Sequence, residues 1–381
     1  MADCDWSRLP YDLIATIANQ LTVIEDFLAF SGVCRSWRSV YRNRNWTPGP
    51  QFPWLMLSEN RNETTRCFFS FFKNKRLVSS LPEARGRRCW GSACGWLITI
   101  GVDLEIHLLN PITQICIDLP SQSTFCNQPF LAGNAVTHST YRTSFINKAF
   151  VFKYSSHLNN IGDGFMVMAI HGKDNSLAFA RPGYDSWVTV ETSSPFVFRD
   201  VVLFEGQIFA ICDAGTLVAV EIDGSGPPRA IQFAAPPTGH CPWNQIYLVE
   251  SLGDLLLLFR CATRSVYDFS METISFEVYK FDFSTKEWMK LNELGYRALF
   301  VGDNCSMSLS ASEVFNCKSN NSIYFTDDNV EWWPTCEEEQ HGRFDMGVYN
   351  MADGSIESLL DLGDDSPLHY SCPIWVMPAI S

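Results

Sequence analysis

The chain has 381 residues, of which 46% are hydrophobic and 18% are charged, and its formal net charge is −14. This is the composition of a core-rich globular protein, which excludes a largely disordered chain. The length allows two or three domains, or one helical module followed by a large repeat fold. The acidic balance argues against nucleic acid as a partner, because a phosphate backbone requires lysine and arginine.

The charge is unevenly distributed along the chain. Residues 1–50 carry five basic and five acidic side chains, whereas residues 61–88 carry eight basic against two acidic. Everything after residue 88 is therefore strongly acidic. We expect the cluster at residues 85–88 (RGRR) to be a solvated loop, with contact to an acidic partner as the alternative.

Cysteine and histidine usage gives no sign of a metal or cofactor. The 14 cysteines stand singly without a C-x-x-C pair, and the histidines lack the spacing of a helical zinc site. No apolar run approaches the ~20 residues of a membrane span, and no signal peptide is recognisable at the N-terminus. We therefore expect a nuclear or cytoplasmic protein with reduced cysteines and no membrane partner.

Residues 9–41 predict three short helices with one strongly apolar side. The spacing of one helix face is followed by a first apolar set, which consists of Leu9, Leu13, Ile14, Ile17, Ala18 and Leu21. Thr22 is expected to cap the second helix together with Glu25, and Gly32 to separate it from the third. Three helices of this size cannot bury so much apolar area alone, so part of it should face a partner.

This stretch resembles the F-box. Leu9-Pro10 matches the opening of the motif and residues 33–37 (VCRSW) match its end, so the motif would cover residues 1–46. The resemblance implies docking on a Skp-type adaptor, and through it on cullin and RING subunits of a ubiquitin ligase. The implied adaptor-binding residues are Leu9, Pro10, Leu13, Ile17, Leu21, Val33, Cys34 and Trp37. The alternative is a helical N-terminal extension packed on the main domain.

After a proline-rich linker at residues 47–53, residues 54–381 are predicted to be an all-β domain of short strands with turn signals between them. Segments at 95–97, 148–152, 200–204, 247–250 and 298–301 recur about fifty residues apart, and each opens a set of three or four strands. Such a period is typical of propeller blades. We therefore expect a degenerate kelch-like β-propeller of six or seven blades, with a pair of β-sandwiches as the alternative architecture.

The β region is similar to that of plant F-box proteins with a KIB-type β-propeller, also called the domain of unknown function 295 family. The resemblance rests on residues 95–97, 106–111, 198–207, 247–257, 276–282, 298–302, 323–328, 345–349, 354–356 and 374–378. One departure is Tyr296, where the family pattern leads us to expect Asp. The resemblance implies a propeller that acts as the substrate receptor of an SCF ubiquitin ligase.

Catalytic patterns are weak, and we predict no catalytic residue. The segment around Cys94 departs from a thiol-protease motif on both sides of the cysteine, and His107 and His171 alternate with apolar residues in predicted strands. The pair Asp327-Asp328 stands beside turn residues. No phosphate-binding loop or nucleophile elbow is present.

Substrate binding is expected on loops at the propeller ends, where a rigid scaffold carries variable connections. Tryptophans in polar loops are frequent interface anchors, which makes Trp243, Trp332 and Trp333 the candidates. The leading hypothesis is a non-catalytic subunit that presents a protein substrate for ubiquitination. The alternatives are a propeller that sequesters or inhibits its partner without ubiquitination and an enzymatic propeller.

Overall fold

The computed structural model describes residues 5–42, 49–59, 65–126, 144–153, 164–222, 226–239, 245–264, 271–310, 320–328, 345–359 and 371–380. The chain divides into two compact units, Met1–Pro53 and Trp54–Ser381. The proline-rich segment that ends at Pro53 thus belongs to the first unit.

The first unit contains three helices, α1 Tyr11–Ala18, α2 Ile24–Gly32 and α3 Arg35–Arg42, after a 3-10 turn at Trp6–Arg8. Pro10 is the N-cap of α1, and its carbonyl accepts the N–H groups of Leu13 and Ile14. Proline suits this place because its missing N–H would lie outside the helical hydrogen bonds. The small core between the helices is formed by Ile14, Ala18, Ile24, Phe27, Phe30 and Val40.

The start of α2 differs from the sequence-based expectation. The N-cap is Val23 rather than Thr22, and no side chain of the cap residue bonds to the helix. Instead the N–H of Ile24 donates to Oε1 of Gln51 over 3.0 Å, and Nε2 of Gln51 donates to the carbonyls of Thr22 and Gly49. The capping group therefore comes from a residue 27 positions along the chain.

The described strands of the second unit form six sheets. The first contains β1 Trp54–Met56, β2 Arg66–Ser70 and β3 Lys75–Ser79, and the second β4 Arg88–Trp90, β5 Leu97–Ile100, β6 Ile106–Leu109 and β7 Cys116–Leu119. The third contains β8 Ile146–Lys153, β9 Phe165–His171, β10 Ser176–Ala180 and β11 Val188–Thr189. The fourth contains β12 Glu191–Thr192, β13 Phe198–Phe204, β14 Gln207–Cys212, β15 Leu217–Glu221 and β16 Arg229–Ala234.

The last two sheets complete the set. The fifth contains β17 Gln245–Ser251, β18 Asp254–Arg264, β19 Met271–Asp282 and β20 Glu287–Leu291. The sixth contains β21 Arg297–Val301, β22 Met307–Ser310, β23 Ser322–Phe325, β24 Gly347–Asn350 and β25 Ile356–Ser358. A last strand, β26 Ile374–Val376, joins the first sheet beside β1.

Strand β9 shows why so many strands of this domain are continuous apolar runs. All seven of its residues are buried. Side chains alternate between the two faces of a strand, so Phe165, Val167 and Ala169 pack with the second blade. Met166, Met168 and Ile170 pack with the fourth blade instead. A sheet that is buried on both faces needs apolar residues at every position.

The ring is closed where the first and last strands of the propeller, β1 and β26, pair in one sheet. In the first sheet Leu55 of β1 is paired with Trp375 of β26, and the N–H of Met377 donates to the carbonyl of Ser92 in the next blade. A Cβ on Gly91 would lie 1.8 Å from the Trp375 carbonyl oxygen, so the contact requires glycine.

The predicted propeller is confirmed with six blades in the described chain, and the β-sandwich alternative is wrong. The kelch-like character of the repeat stays a prediction.

The inner strands of the blades are the edge strands that contact each other around the ring: β26, β4, β8, β13, β17 and β22. The predicted blade openings at 148–152, 200–204 and 247–250 fall on inner strands. The opening at 95–97 falls instead at the start of β5, because the inner strand β4 has only three residues and begins with Arg88. The opening at 298–301 falls on β21, next to the inner strand β22.

Candidate functional sites

Helix α1 of the first unit has an apolar surface that its own helices leave open. Ile14 and Ala18 are 1% and 0% exposed, whereas Leu13 and Ile17 are 51% and 39% exposed. Residues four apart lie on the same side of a helix, so Leu13 and Ile17 form one apolar stripe. Val33, between α2 and α3, is 60% exposed. Exposed apolar residues that are grouped in this way indicate an interaction surface.

The eight sequence-predicted adaptor-binding residues fall into two groups. Pro10, Leu13, Ile17 and Val33 are exposed, and Leu9, Leu21, Cys34 and Trp37 are half-buried. Trp37 also makes contacts within the first unit. Its Nε1 donates to the carbonyl of Trp6 over 3.0 Å, and its ring lies 4.5 Å from that of Phe30. Adaptor binding by these residues stays a prediction.

The predicted substrate-binding residues Trp243, Trp332 and Trp333 lie outside the described residues. The described residues that flank them are Gln245, which opens β17, and the pair Asp328 and Asp345. Asp328 and Asp345 both contact Arg260, which is paired with Gln245 in the fifth sheet. All these flanking positions therefore lie at the end of the ring where β17 begins.

At this end of the ring, the inner strands bring together buried charged side chains. Arg88 of β4 and Asp303 are 3% and 4% exposed, and Nη2 of Arg88 lies 3.0 Å from Oδ2 of Asp303. The other oxygen of Asp303 accepts the indole N–H of Trp90. The remaining donors of Arg88 reach the carbonyls of Ile146 and Asn147 in the third blade. Three blades thus meet at one guanidinium.

A second pair joins the third and fourth blades. Nζ of Lys148 lies 3.1 Å from the carboxylate of Asp200, which is fully buried. Burial raises the pKa of Asp200, although Lys148 and backbone N–H groups act in the opposite direction. One of these N–H groups belongs to Leu248 in the fifth blade. The hydroxyl of Ser306 also donates to Asp200.

Arg260 is the centre of the third cluster. Its guanidinium, 3% exposed, reaches Asp328 and Asp345 at 3.2 and 2.9 Å and lies over the ring of Phe325. The hydroxyl of Tyr247 donates to Asp328 over 2.6 Å. Burial, followed by the charge of Asp328, raises the pKa of Tyr247 well above its ordinary value. Burial also raises the pKa of Asp328, against the effect of Arg260.

These clusters hold the blades together and give no sign of catalysis. Each carboxylate described above is paired and hydrogen-bonded, as buried charges must be. Burial raises the pKa of the thiols of Cys94 and Cys305, the latter to about 12, so both are neutral and weakly nucleophilic at pH 7.

Within the described ranges, no group of three or more His, Cys, Asp or Glu side chains could hold a metal ion. None of the described helices is long and apolar enough to span a membrane.

Sequence reasoning missed these buried charges. Arg260 interrupts an apolar strand (LLLLFRC), and a lone charge inside an apolar run is the signal that could have identified it. Asp200 stands beside Arg199 in its strand (FRDVVLF) and gives a weaker signal. The expectation of a solvated loop at residues 85–88 is wrong for Arg87 and Arg88. They are 9% and 3% exposed, and Arg87 pairs with Asp103 at 3.0 Å.

Comparison with known proteins agrees with this architecture. The family model for the KIB1-4 β-propeller matches residues 68–350, and the model for the F-box domain matches residues 6–47. Three relatives come from Arabidopsis thaliana. "F-box protein SKIP23" is 24% identical over 98% of this chain and 95% of its own length. "Putative F-box protein At5g55150" is 28% identical over 84% and 85%. "F-box protein At2g26160" is 27% identical over 85% and 96%.

Proposed function

Because this chain belongs to the family of F-box proteins with a KIB1-4 β-propeller, we propose that it is the substrate-recognition subunit of an SCF-type ubiquitin ligase. In this proposal the F-box helices dock on a Skp-type adaptor, which connects them to cullin and RING subunits. The propeller binds a protein substrate. The chain itself is an adaptor without a catalytic residue, and the transfer of ubiquitin is carried out by the assembled ligase.

The observation that carries the proposal is the split between the two sides of α1. Ile14 and Ala18 are buried in the core of the first unit, whereas about half of the surface of Leu13 and about two fifths of that of Ile17 are exposed. Burying apolar surface contributes roughly 25 cal/mol per Å². A partner that covers this stripe and Val33 therefore gains a substantial part of its binding free energy from it. Pro10, also exposed, lies at the start of the same helix.

The propeller also suits the role of a receptor. Its blades are held by buried ion pairs between sheets, which makes a rigid support for connecting loops. Binding residues are common on loops that a rigid scaffold positions. Homology to F-box proteins favours the same adaptor-type role.

The test is adaptor binding by a double variant, Pro10→Ala with Leu13→Ala, in the full chain. Because both residues are exposed, the variant should keep its thermal unfolding midpoint while the affinity for a Skp-type adaptor falls at least about tenfold. Val102→Ala, at a residue that is 50% exposed in the propeller, is the matched control and should bind like the parent. Unchanged adaptor binding by the double variant would sink the docking assignment.

Ubiquitination is tested separately from docking. The abundance of proteins captured by the propeller is compared with and without proteasome inhibition, in cells with the parent chain and with the double variant. Turnover that depends on both the F-box surface and the proteasome supports the proposal. Turnover that is the same in all four conditions means that the propeller sequesters its partner instead.

A further inference from the structure

The outer edge of strand β3 is an unusual surface in this acidic protein. β3 is the last strand of its sheet, with β2 on one side, and no described strand pairs with its other side. Lys75 and Arg76 are exposed, and Val78 is 67% exposed. The side chain of Phe72, in the preceding turn, is 36% exposed. An open strand edge carries a row of backbone N–H and C=O groups that can pair with another chain.

The exposed cations of this edge differ from other arginines of the same segment, which are buried in ion pairs. Residues 61–88 have a net charge of +6 in a chain of −14. Within that segment Arg66, Arg87 and Arg88 are buried in pairs with Glu59, Asp103 and Asp303. Neither Lys75 nor Arg76 has a carboxylate partner in the part of the chain that the structure describes.

The outer strands of the other sheets are different in charge. β7, β12 and β25 carry Asp118, Glu191 and Glu357 and no lysine or arginine. β20 carries Lys290, whose Nζ lies 2.6 Å from Glu277. Among the described outer strands, β3 therefore combines an open edge with cations that no carboxylate neutralises.

The chain itself shows that an outer edge of this propeller can accept an added strand. After leaving the third blade, the chain forms the short strand β12, which pairs with the outer strand β16 of the fourth blade. In this added strand the acidic Glu191 is the register partner of the basic Arg229, and its N–H donates to the carbonyl of Pro228. The guanidinium of Arg229 is itself paired with Glu221, so this example shows that an outer strand accepts an added strand and leaves the choice of charge to β3.

We propose that the outer edge of β3 binds an acidic, extended segment of a partner protein by strand addition. The backbone groups of the edge supply hydrogen bonds, and Lys75 and Arg76 select acidic side chains at neighbouring positions. Val78, on the same face of β3 as Arg76, supplies an apolar contact next to it. The surface belongs to the propeller and does not depend on adaptor docking, so it can be tested whether or not the proposed ligase function holds.

The probe is a fluorescein-labelled peptide of eight residues that repeats two glutamates followed by two valines, so that glutamate and valine alternate along each face of the added strand. It is added to the full chain and followed by fluorescence anisotropy. Saturable binding is expected, with slower amide hydrogen exchange at residues 75–79. The same peptide with prolines in place of two valines keeps the charge but loses strand donors, and it should bind about tenfold more weakly.

The variant Arg76→Glu should weaken binding of the probe about tenfold, because it places like charges beside each other. Lys173→Glu, at an exposed turn residue of the third blade, makes the same change in net charge and should leave binding unaffected. The proposal is overturned by an absence of saturable binding, by equal losses in the two variants, or by equal binding of the proline peptide. A single-stranded oligonucleotide that binds as well as the probe would also overturn it, since that result shows attraction of any polyanion.

Discussion

Nη2 of Arg88 lies 3.0 Å from Oδ2 of Asp303, a residue 215 positions further along the chain, and this contact joins the second blade to the sixth. Both side chains are almost completely buried. Removing one partner of such a pair leaves an uncompensated charge in the interior, which costs more than the pair contributes.

We expect Asp303→Asn to lower the free energy of unfolding by about 3 kcal/mol, measured by urea denaturation. The double variant Arg88→Met with Asp303→Leu should recover part of that loss, because no charge is then left unpaired. The recovery is incomplete because the carbonyls of Ile146 and Asn147 and the indole N–H of Trp90 lose their hydrogen bonds to the pair. Asp118, whose side chain is 91% exposed, offers the control, and Asp118→Asn should change stability by less than about 0.5 kcal/mol. A double variant as unstable as the single one would contradict the explanation.

The cap that Gln51 provides can be separated into its acceptor and donor parts. Gln51→Glu keeps an oxygen for the N–H of Ile24 but loses the donors to Thr22 and Gly49, whereas Gln51→Leu loses all three hydrogen bonds. We expect Gln51→Leu to destabilise the first unit by about 2 kcal/mol, since a buried N–H and two carbonyls lose their partner. The readout is hydrogen exchange of the amides in α2. In Gln51→Glu the amide of Ile24 should stay more protected than in Gln51→Leu, and equal exchange would speak against capping by Gln51.

Ring closure should depend on the absence of a side chain at Gly91. Because an added Cβ would overlap the Trp375 carbonyl, Gly91→Ala should force β26 away from the second blade and cost about 3 kcal/mol. At Gly226 an added Cβ meets nothing within 4 Å, so Gly226→Ala serves as the control. In thermal unfolding, Gly91→Ala should lower the midpoint, whereas Gly226→Ala should leave it unchanged. Equal midpoints would mean that the contact does not limit stability.

His171 should make stability depend on pH below neutrality. It is 4% exposed between the rings of Phe125 and Phe145, and its Nε2 has no hydrogen-bond partner among the residues that the structure describes. Burial lowers its pKa from 6.5 to about 4. Above pH 6.5 the histidine is neutral in the folded and unfolded states and contributes no pH dependence. Between pH 6.5 and 4 only the unfolded state takes up a proton, so stability falls as pH falls, by about 3 kcal/mol at the lower end.

The variant His171→Gln tests this directly, because glutamine does not titrate. Urea unfolding of the parent and the variant is compared at pH 7.5 and at pH values down to 4. The stability of the variant should decline less across that window than the stability of the parent. Parallel pH profiles would rule out His171 as the titrating group.

The sequence predicted the broad architecture because its signals are local or repeat regularly. The apolar stripe of α1 and the period of the strand sets each follow from residues within one element or one blade, as in β9 with its run of seven buried residues. The number of blades was harder to predict. It depends on whether a short strand such as Arg88–Trp90 counts as an inner strand, and this strand begins with a basic residue because Arg88 pairs with Asp303 across the ring.

The contacts that the sequence did not predict join residues that are far apart in the chain. The cap from Gln51, the pair of Arg88 with Asp303 and the cluster around Arg260 each depend on the finished fold. The small size of the unit predicted that part of the apolar surface of the helices would be exposed. It did not predict the division between buried Ile14 and Ala18 and exposed Leu13 and Ile17, since helical spacing places all four on one broad face. The substrate-binding tryptophans were proposed from loop composition alone, and they lie outside the described residues.

The pairing of β26 with β1 sets an order of events during synthesis. The helices are translated before the strands of the propeller, whereas the ring cannot close until Val376 has been translated. Translation that stopped before Ile374 would produce the complete apolar stripe of α1 on a propeller without its closing strand. If the proposed function holds, such a product occupies adaptors without delivering a substrate, and termination between the last strand of the sixth blade and Ile374 would then act as a dominant inhibitor rather than as a simple loss.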